Sequence, residues 1–278
     1  MEQPVVGFIG VGRMGRPMAE HCLRKGHAVA VMDVNPDAVA ALVAAGARAA
    51  RSPAELARLA RTIVVMVVDD AQVREVVLGE EGVVQGAAAG TAVAICTSAS
   101  PVTCQEVARA AAERGVAVID APVTGGARGA DRGTLNVLCG GEAAVVDRFR
   151  PVFAAFARHV FHLGGVGAGQ VGKSVNNLLL WANIVADYEA LTYARAHPFV
   201  DLEQLWAATM AGSGANAPLR DWGRQTIRWA DKDLDVLLDE AQALGLSLPL
   251  TGLVDQLIKT IRPPQMHRLL PPRPEPEG

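Results

Sequence analysis

Val5-Val6-Gly7-Phe8-Ile9-Gly10-Val11-Gly12-Arg13-Met14-Gly15 sets an apolar strand directly before a Gly10-x-Gly12-x-x-Gly15 turn. The order predicts a strand, a phosphate-binding turn and a helix, the opening of a dinucleotide-binding βαβ unit. Gly10 permits the tight turn, Gly12 lets backbone approach a pyrophosphate, and Gly15 lets the helix pack close to the strand. Free N–H groups at the helix start then face the phosphates. The helix is expected through Met14 to Lys25 with Gly26 as its stop, and a second strand from His27 to Met32 ends at Asp33. A carboxylate about 20 residues beyond the glycines accepts hydrogen bonds from an adenosine ribose diol and repels a 2′-phosphate. No arginine follows in Val34-Asn35-Pro36-Asp37, so NAD is favoured over NADP. Asp33 also suits the turn before Asn35-Pro36, and the two roles are compatible.

Outward from this stretch, helix and strand signals alternate as in a doubly wound sheet. Ser52-Pro53-x-Glu55 is a capping box with proline at the first helical position, opening a helix to Ala60. Thr62 to Val68 reads as a parallel strand covered on both faces, ended by Asp69 and Asp70. Thr91 to Ile95, Val116 to Ile119, Thr134 to Cys139 and His159 to Leu163 read as further strands, with a helix from Ser100-Pro101 to about Arg114. Beyond Leu163 only helical periodicity continues. The expected organisation is therefore α/β: a Rossmann-type doubly wound domain over 1–163, an all-helical domain over 164–262, and a proline-rich tail over 263–278. A long inter-domain helix is expected from about Gln170 to Ala196. Its Leu178-Leu179-Leu180-Trp181 stretch, with Ile184 and Val185, is apolar on more than one side and demands burial. The tail is expected to be disordered or to lie along the surface.

Composition excludes several function classes. The chain has 278 residues, enough for two domains, and half of them are apolar. A formal charge of -3 and the lack of any basic run argue against nucleic acid or an anionic membrane as partner. The longest apolar runs, such as Ile63 to Val68, are too short to span a bilayer, and no charged leader precedes the first strand. A soluble, cytoplasmic protein is expected. Cys22, Cys96, Cys104 and Cys139 form no metal or disulfide spacing and are expected as buried, reduced thiols. His159 and His162 point to opposite faces of their strand, so no metal site is expected.

Two segments carry chemistry. Gly164 to Asn177 brings a glycine-rich turn into a helix and puts Lys173 and Asn177 on one helical face. Lysine is scarce here, limited to Lys25, Lys173, Lys232 and Lys259. Unlike arginine it exchanges its proton when partly buried, and a helix start is electrostatically poor for a cation. Asp120-Ala-Pro122-Val-Thr124-Gly125-Gly126 follows the carboxyl end of a strand, where open α/β sheets bind ligands. Its glycines can turn N–H groups toward an anion, with the Thr124 hydroxyl beside them.

These segments resemble the β-hydroxyacid dehydrogenase family, which includes 3-hydroxyisobutyrate dehydrogenase and tartronate semialdehyde reductase. The resemblance covers nearly the whole chain through four patches in order: Gly7 to Met18, Asp120 to Ala130, Gly167 to Asn177, and Lys232-Asp233-Leu234. It implies hydride transfer between NAD and a small β-hydroxyacid or its semialdehyde. Lys173 is the implied acid/base and Asn177 steadies the reacting oxygen. Thr124, Gly125 and Gly126 are implied to hold the substrate carboxylate. The implied cofactor contacts are Gly10, Val11, Gly12, Arg13, Met14, Gly15, Asp33, Val67, Val68, Gln72 and Lys232. Ser98 is placed at the nicotinamide half and the substrate. Departures are Val67-Val68-Asp69 where the family often has Leu-Pro, and Ile95-Cys96-Thr97-Ser98 where it often has Asp-Ser-Ser-Thr. The family's habit implies a homodimer or homotetramer through the helical domain. Imine reductases share the architecture but resemble it with another residue at the position of Lys173. A non-catalytic dinucleotide-binding scaffold is the remaining alternative, which Lys173 disfavours.

Overall fold

The computed structural model describes residues 5–224, 227 and 229–272. The chain splits into two compact units, Met1–Lys173 and Ser174–Gly278. The first unit opens with β1 (Val5–Ile9), α1 (Gly15–Arg24), β2 (Ala28–Met32), α2 (Pro36–Ala44), β3 (Arg48–Ala49), α3 (Pro53–Leu59), β4 (Thr62–Val65) and α4 (Asp70–Leu78). It continues with α5 (Val83–Gly86), β5 (Ala92–Ile95), α6 (Pro101–Ala112), β6 (Ala117–Asp120), β7 (Val123–Thr124), α7 (Gly126–Arg132), β8 (Leu135–Gly140), α8 (Ala143–Phe153) and β9 (Ala157–Gly164). Helix α9 (Ala168–Arg195) runs from the first unit into the second.

The sheet order is β3-β2-β1-β4-β5-β6-β8-β7, with β9 beside β8. All pairings from β3 to β6 are parallel, whereas β8 runs antiparallel to β6 and β7. Apolar side chains alternate between the two faces, as a two-residue period requires. Phe8, Val29, Val64, Ala94 and Ile119 join one core with Met18 and Cys22 of α1 and Phe149 and Phe153 of α8. Their neighbours Ile9, Ala30, Ile63, Val93 and Val118 join the other, with Leu56 of α3, Val73 and Val77 of α4 and Val107 of α6. Order reverses at β1, which pairs with both β2 and β4, so the crevice at a topological switch point lies beyond their carboxyl ends.

Several boundaries differ from the expectation for local reasons. β4 ends at Val65, because the Val67 N–H turns to the Thr97 hydroxyl and the Val68 N–H to the Gln72 side chain instead of a neighbouring strand. α1 begins at Gly15 with Met14 as its cap residue. The segment after Gly125 is a short helix rather than a plain loop, and β3 and β7, two residues each, carry no readable pattern. In the capping box, Ser52 Oγ accepts from the Glu55 N–H at 3.2 Å, while Glu55 Oε2 reaches past the cap to the Arg51 N–H at 2.9 Å. β9 ends at Gly164, where the sequence changes character, but the units divide inside α9.

The second unit adds α10 (Leu202–Ala211), α11 (Ala217–Arg220), α12 (Ala230–Ala243), α13 (Pro249–Ile258) and α14 (Pro263–Leu269). Its core gathers Trp181, Ile184 and Val185 of α9 with Leu219, Trp222, Leu234, Val254, Ile258 and Met266. Trp222 is fully buried and donates its indole N–H to the Met266 carbonyl at 3.1 Å. The proline-rich tail is thus corrected: it starts as a helix, and Met266 and Leu270 close the core. Residues 273–278 of that tail lie outside the described ones. Among the described residues no helix is long and apolar enough to cross a membrane.

Candidate active site

The turn after β1 is shaped by backbone crowding. A Cβ at Gly10 (φ +85°) would meet the Met66 carbonyl oxygen at 2.3 Å, and one at Gly15 would meet the Gly10 oxygen at 2.0 Å. A Cβ at Gly12 meets nothing within 4 Å. Two glycines are therefore required by packing, while the third fronts open space that suits a pyrophosphate. Helices α2, α3, α4 and α6 carry side-chain caps from Asn35, Ser52, Asp69 and Ser100, but α1 has none. The Arg16 N–H donates to the Gly12 carbonyl at 3.0 Å, and no side chain caps the N–H groups before it, which suits an anion. Val11 is buried, Gly12 and Arg13 are exposed, and Met14 is half-buried. Asp33 Oδ2 accepts from the Val11 N–H at 2.7 Å and Oδ1 from the Asn35 N–H at 2.8 Å. Each oxygen has acceptor capacity beyond that one bond, as a ribose diol requires. On these observations the turn and Asp33 fit NAD.

The carboxyl ends of β4, β5 and β6 are tied to the start of α9. Asp120, fully buried, accepts from the Gly167 N–H at 2.6 Å and the Gln170 N–H at 2.8 Å, which caps α9. Burial raises its carboxyl pKa, and the backbone hydrogen bonds from Gly167 and Gln170 oppose that rise. Gln170 is buried too: its side chain donates to the Thr97 carbonyl at 2.8 Å and accepts from the Ala99 N–H at 3.2 Å. Thr97 Oγ1 in turn accepts from Val67 N–H at 2.9 Å. These positioning roles of Asp120, Gln170 and Thr97 escape the sequence reading, although an aspartate ending an apolar strand, as Asp33 does, is the available signal.

With α9 anchored, Lys173 reaches its target. α9 begins at Ala168, not Gln170, which puts Lys173 in the second turn. Its Nζ donates to the Val123 carbonyl at 2.9 Å, beside Thr124, Gly125 and Gly126. Gly125 and Gly126 both have positive φ (+109° and +62°) and are exposed. Thr124 is buried and its hydroxyl accepts from Asn136 Nδ2 at 3.3 Å. So the amine and Val123, which lies fifty positions away in sequence and two residues before the two-glycine turn, come together. Asn177 lies one turn further along α9, 6% exposed, its Oδ1 accepting from Asn176 Nδ2 at 3.0 Å.

The remaining candidates are less clustered. Ser98 and Val67 are half-buried, Val68 and Gln72 exposed. The Gln72 side chain is occupied by the Val68 N–H at 3.1 Å. Lys232 lies on α12 in the second unit. All four cysteines are buried, free thiols, and burial raises the pKa of each. His162 Nε2 lies 2.8 Å from the Gly141 carbonyl and 3.0 Å from that of Gly164.

Comparison with known proteins agrees with this architecture. Residues 5–165 match the model of the NAD binding domain of 6-phosphogluconate dehydrogenase. Residues 167–268 match the NAD-binding domain model of NADP-dependent 3-hydroxyisobutyrate dehydrogenase. The chain is 35% identical over 272 residues to the NAD-dependent L-serine dehydrogenase of Pseudomonas aeruginosa, covering 92% of this chain and 91% of that one. It is 35% identical to the 3-hydroxyisobutyrate dehydrogenase of the same organism, covering 91% and 90%. The solved Mycobacterium tuberculosis 3-hydroxyisobutyrate dehydrogenase with L-serine superposes with a TM-score of 0.84 at 26% identity, covering 93% of each chain. Fold, turn and relatives together define an NAD-binding oxidoreductase. The chain belongs to the β-hydroxyacid dehydrogenase family.

Proposed function

We propose that the chain oxidises a small β-hydroxyacid of the 3-hydroxyisobutyrate type, or reduces the matching semialdehyde, with Lys173 as acid/base. The observation that carries this reading is the 2.9 Å bond from Lys173 Nζ to the Val123 carbonyl, which sets an amine next to a two-glycine turn. The N–H groups of Gly125 and Gly126 and the Thr124 hydroxyl hold the carboxylate. Lys173 Nζ takes the hydroxyl proton as the alcohol is oxidised and returns it to the oxygen in reduction. Asn177 donates the second hydrogen bond to that oxygen. NAD, when bound, takes up or supplies the hydride. Asp33 favours NAD over NADP by charge. The assignments of Val67, Val68, Gln72, Ser98 and Lys232 rest on the family resemblance.

Lys173→Ala is expected to lower kcat by about a hundredfold or more, the scale of a positioned acid/base, with NADH affinity retained. Near-normal turnover in that variant on 3-hydroxyisobutyrate would remove Lys173 from the mechanism. The same reading carries assembly as a homodimer or homotetramer through the helical unit, supported by exposed Val175 and Leu179 on α9 and Leu250 and Leu253 on α13. A purely monomeric species in sedimentation at micromolar concentration would end it. A reducing compartment such as the cytoplasm accords with four free thiols.

A further inference from the structure

Arg13 and Asp131 form a two-pronged ion pair, with Nη1 donating to Oδ1 and Nη2 to Oδ2, both at 2.8 Å. Arg13 sits between Gly12 and Met14 in the dinucleotide turn. Asp131 sits on the last turn of α7, the helix that Gly126 opens. The same turn of α7 is held a second time by His21 of α1, whose Nε2 lies 3.1 Å from the Ala130 carbonyl and 3.1 Å from that of Asp131. One end of α7 is therefore fastened to the turn and helix that follow β1, and the other end carries Gly125 and Gly126. A helix of two turns moves as one piece, because its hydrogen bonds close each turn.

The pair is too open to serve stability. Its side chains are 65% and 49% exposed, and ion pairs of that kind contribute little. Its value is geometric: the planar guanidinium matched to both carboxylate oxygens fixes orientation as well as distance. Hydrogen bonding to Arg13 also holds the Asp131 carboxyl below its ordinary range, so the pair stays charged.

We propose that the Arg13–Asp131 pair couples the dinucleotide turn to the Thr124–Gly126 turn, Asp131 acting as a positioning residue for the site that takes the substrate carboxylate. The inference rests on the reading that this turn binds that carboxylate. A pyrophosphate that immobilises the Arg13 backbone then steadies α7 and the glycines at its start. By linkage, a carboxylate bound there steadies the dinucleotide turn in return.

A double-mutant cycle with Arg13→Gln and Asp131→Asn tests it. With NAD saturating, Asp131→Asn is expected to raise KM for 3-hydroxyisobutyrate about five- to tenfold, within the ordinary range of coupling, with kcat held within about twofold. Arg13→Gln raises KM by a similar factor, and the double variant no further. An unchanged KM in Asp131→Asn, or factors that multiply in the double variant, overturns the coupling. Hydrogen exchange supplies an arm independent of turnover. NADH alone should slow exchange over residues 10–15 in both proteins, but over 124–133 only in the parent. Equal protection of 124–133 in Asp131→Asn also overturns it. If the parent turns over no hydroxyacid while NADH still protects 124–133 through Asp131, the substrate reading falls and the coupling stands.

Discussion

Asp187 of α9 is 6% exposed, its Oδ1 accepts from Asn216 Nδ2 at 2.8 Å, and its Oδ2 has no hydrogen-bond partner among the described residues. Burial raises its pKa to about 6, opposed only by the Asn216 hydrogen bond. A carboxyl that holds its proton more tightly when folded than when unfolded stabilises the fold fully below about pH 4, and that contribution is lost as pH rises through about 6. Asp187→Asn should therefore be more stable than the parent by about 1–2 kcal/mol at pH 7.5 and nearly equal to it at pH 4. Urea titrations at the two pH values check this, and a variant weaker at pH 7.5 would contradict it. Residues of this kind are not legible in sequence. Asp33 and Lys173 can at least be singled out as candidates, because distance from a glycine turn and the scarcity of lysine are one-dimensional facts. Asp120, Gln170 and Asp187 act through partners 29 to 73 positions away, and nothing local marks which aspartate will be enclosed.

At the scale of elements, α9 matters most, since its first turns carry the amine. The approach is close: a Cβ at Gly169 would meet the Leu138 carbonyl oxygen at 2.2 Å and Asp120 Oδ2 at 2.7 Å. Gly169→Ala should push α9 away from β8 and Asp120, lower kcat more than tenfold, and destabilise the protein by about 1–3 kcal/mol, the usual cost of overpacking. Turnover and urea midpoints read both effects, and an alanine variant with parental values would show that the anchor has slack. Strands of four or five mostly apolar residues are legible because both of their faces are covered and the whole run is apolar: β1, β5 and β6 lie within a residue or so of expectation. Short ones are not. β3 and β7 are fixed by neighbours rather than by pattern, and α7 follows glycines that read equally well as a loop. α14 opens on Pro263-Pro264, a composition that suggests a tail, yet proline in a first helical turn is compatible with helix, and Met266 gives it a face to bury.

At the scale of the molecule, the two units hold separate cores, two clusters around the sheet and one among the helices. Calorimetry is expected to resolve two transitions. NADH binding to the first unit should raise one of them, by about 2.7 kcal/mol at a hundredfold excess over its dissociation constant. Trp222→Ala, which empties the middle of the helical core, should lower the other by about 3–5 kcal/mol. One transition shifted equally by both changes would mean that α9 fuses the units into a single cooperative body. The packing of the helical core has an optical consequence as well. Trp181, Trp206, Trp222 and Trp229, with Tyr188 and Tyr193, all fall in Ser174–Gly278. The nucleotide-binding sheet has phenylalanine as its only benzenoid side chain, so it is dark under excitation near 295 nm. On adding the oxidised dinucleotide, which does not absorb in the tryptophan emission band, any change in intrinsic emission originates from side chains of Ser174–Gly278.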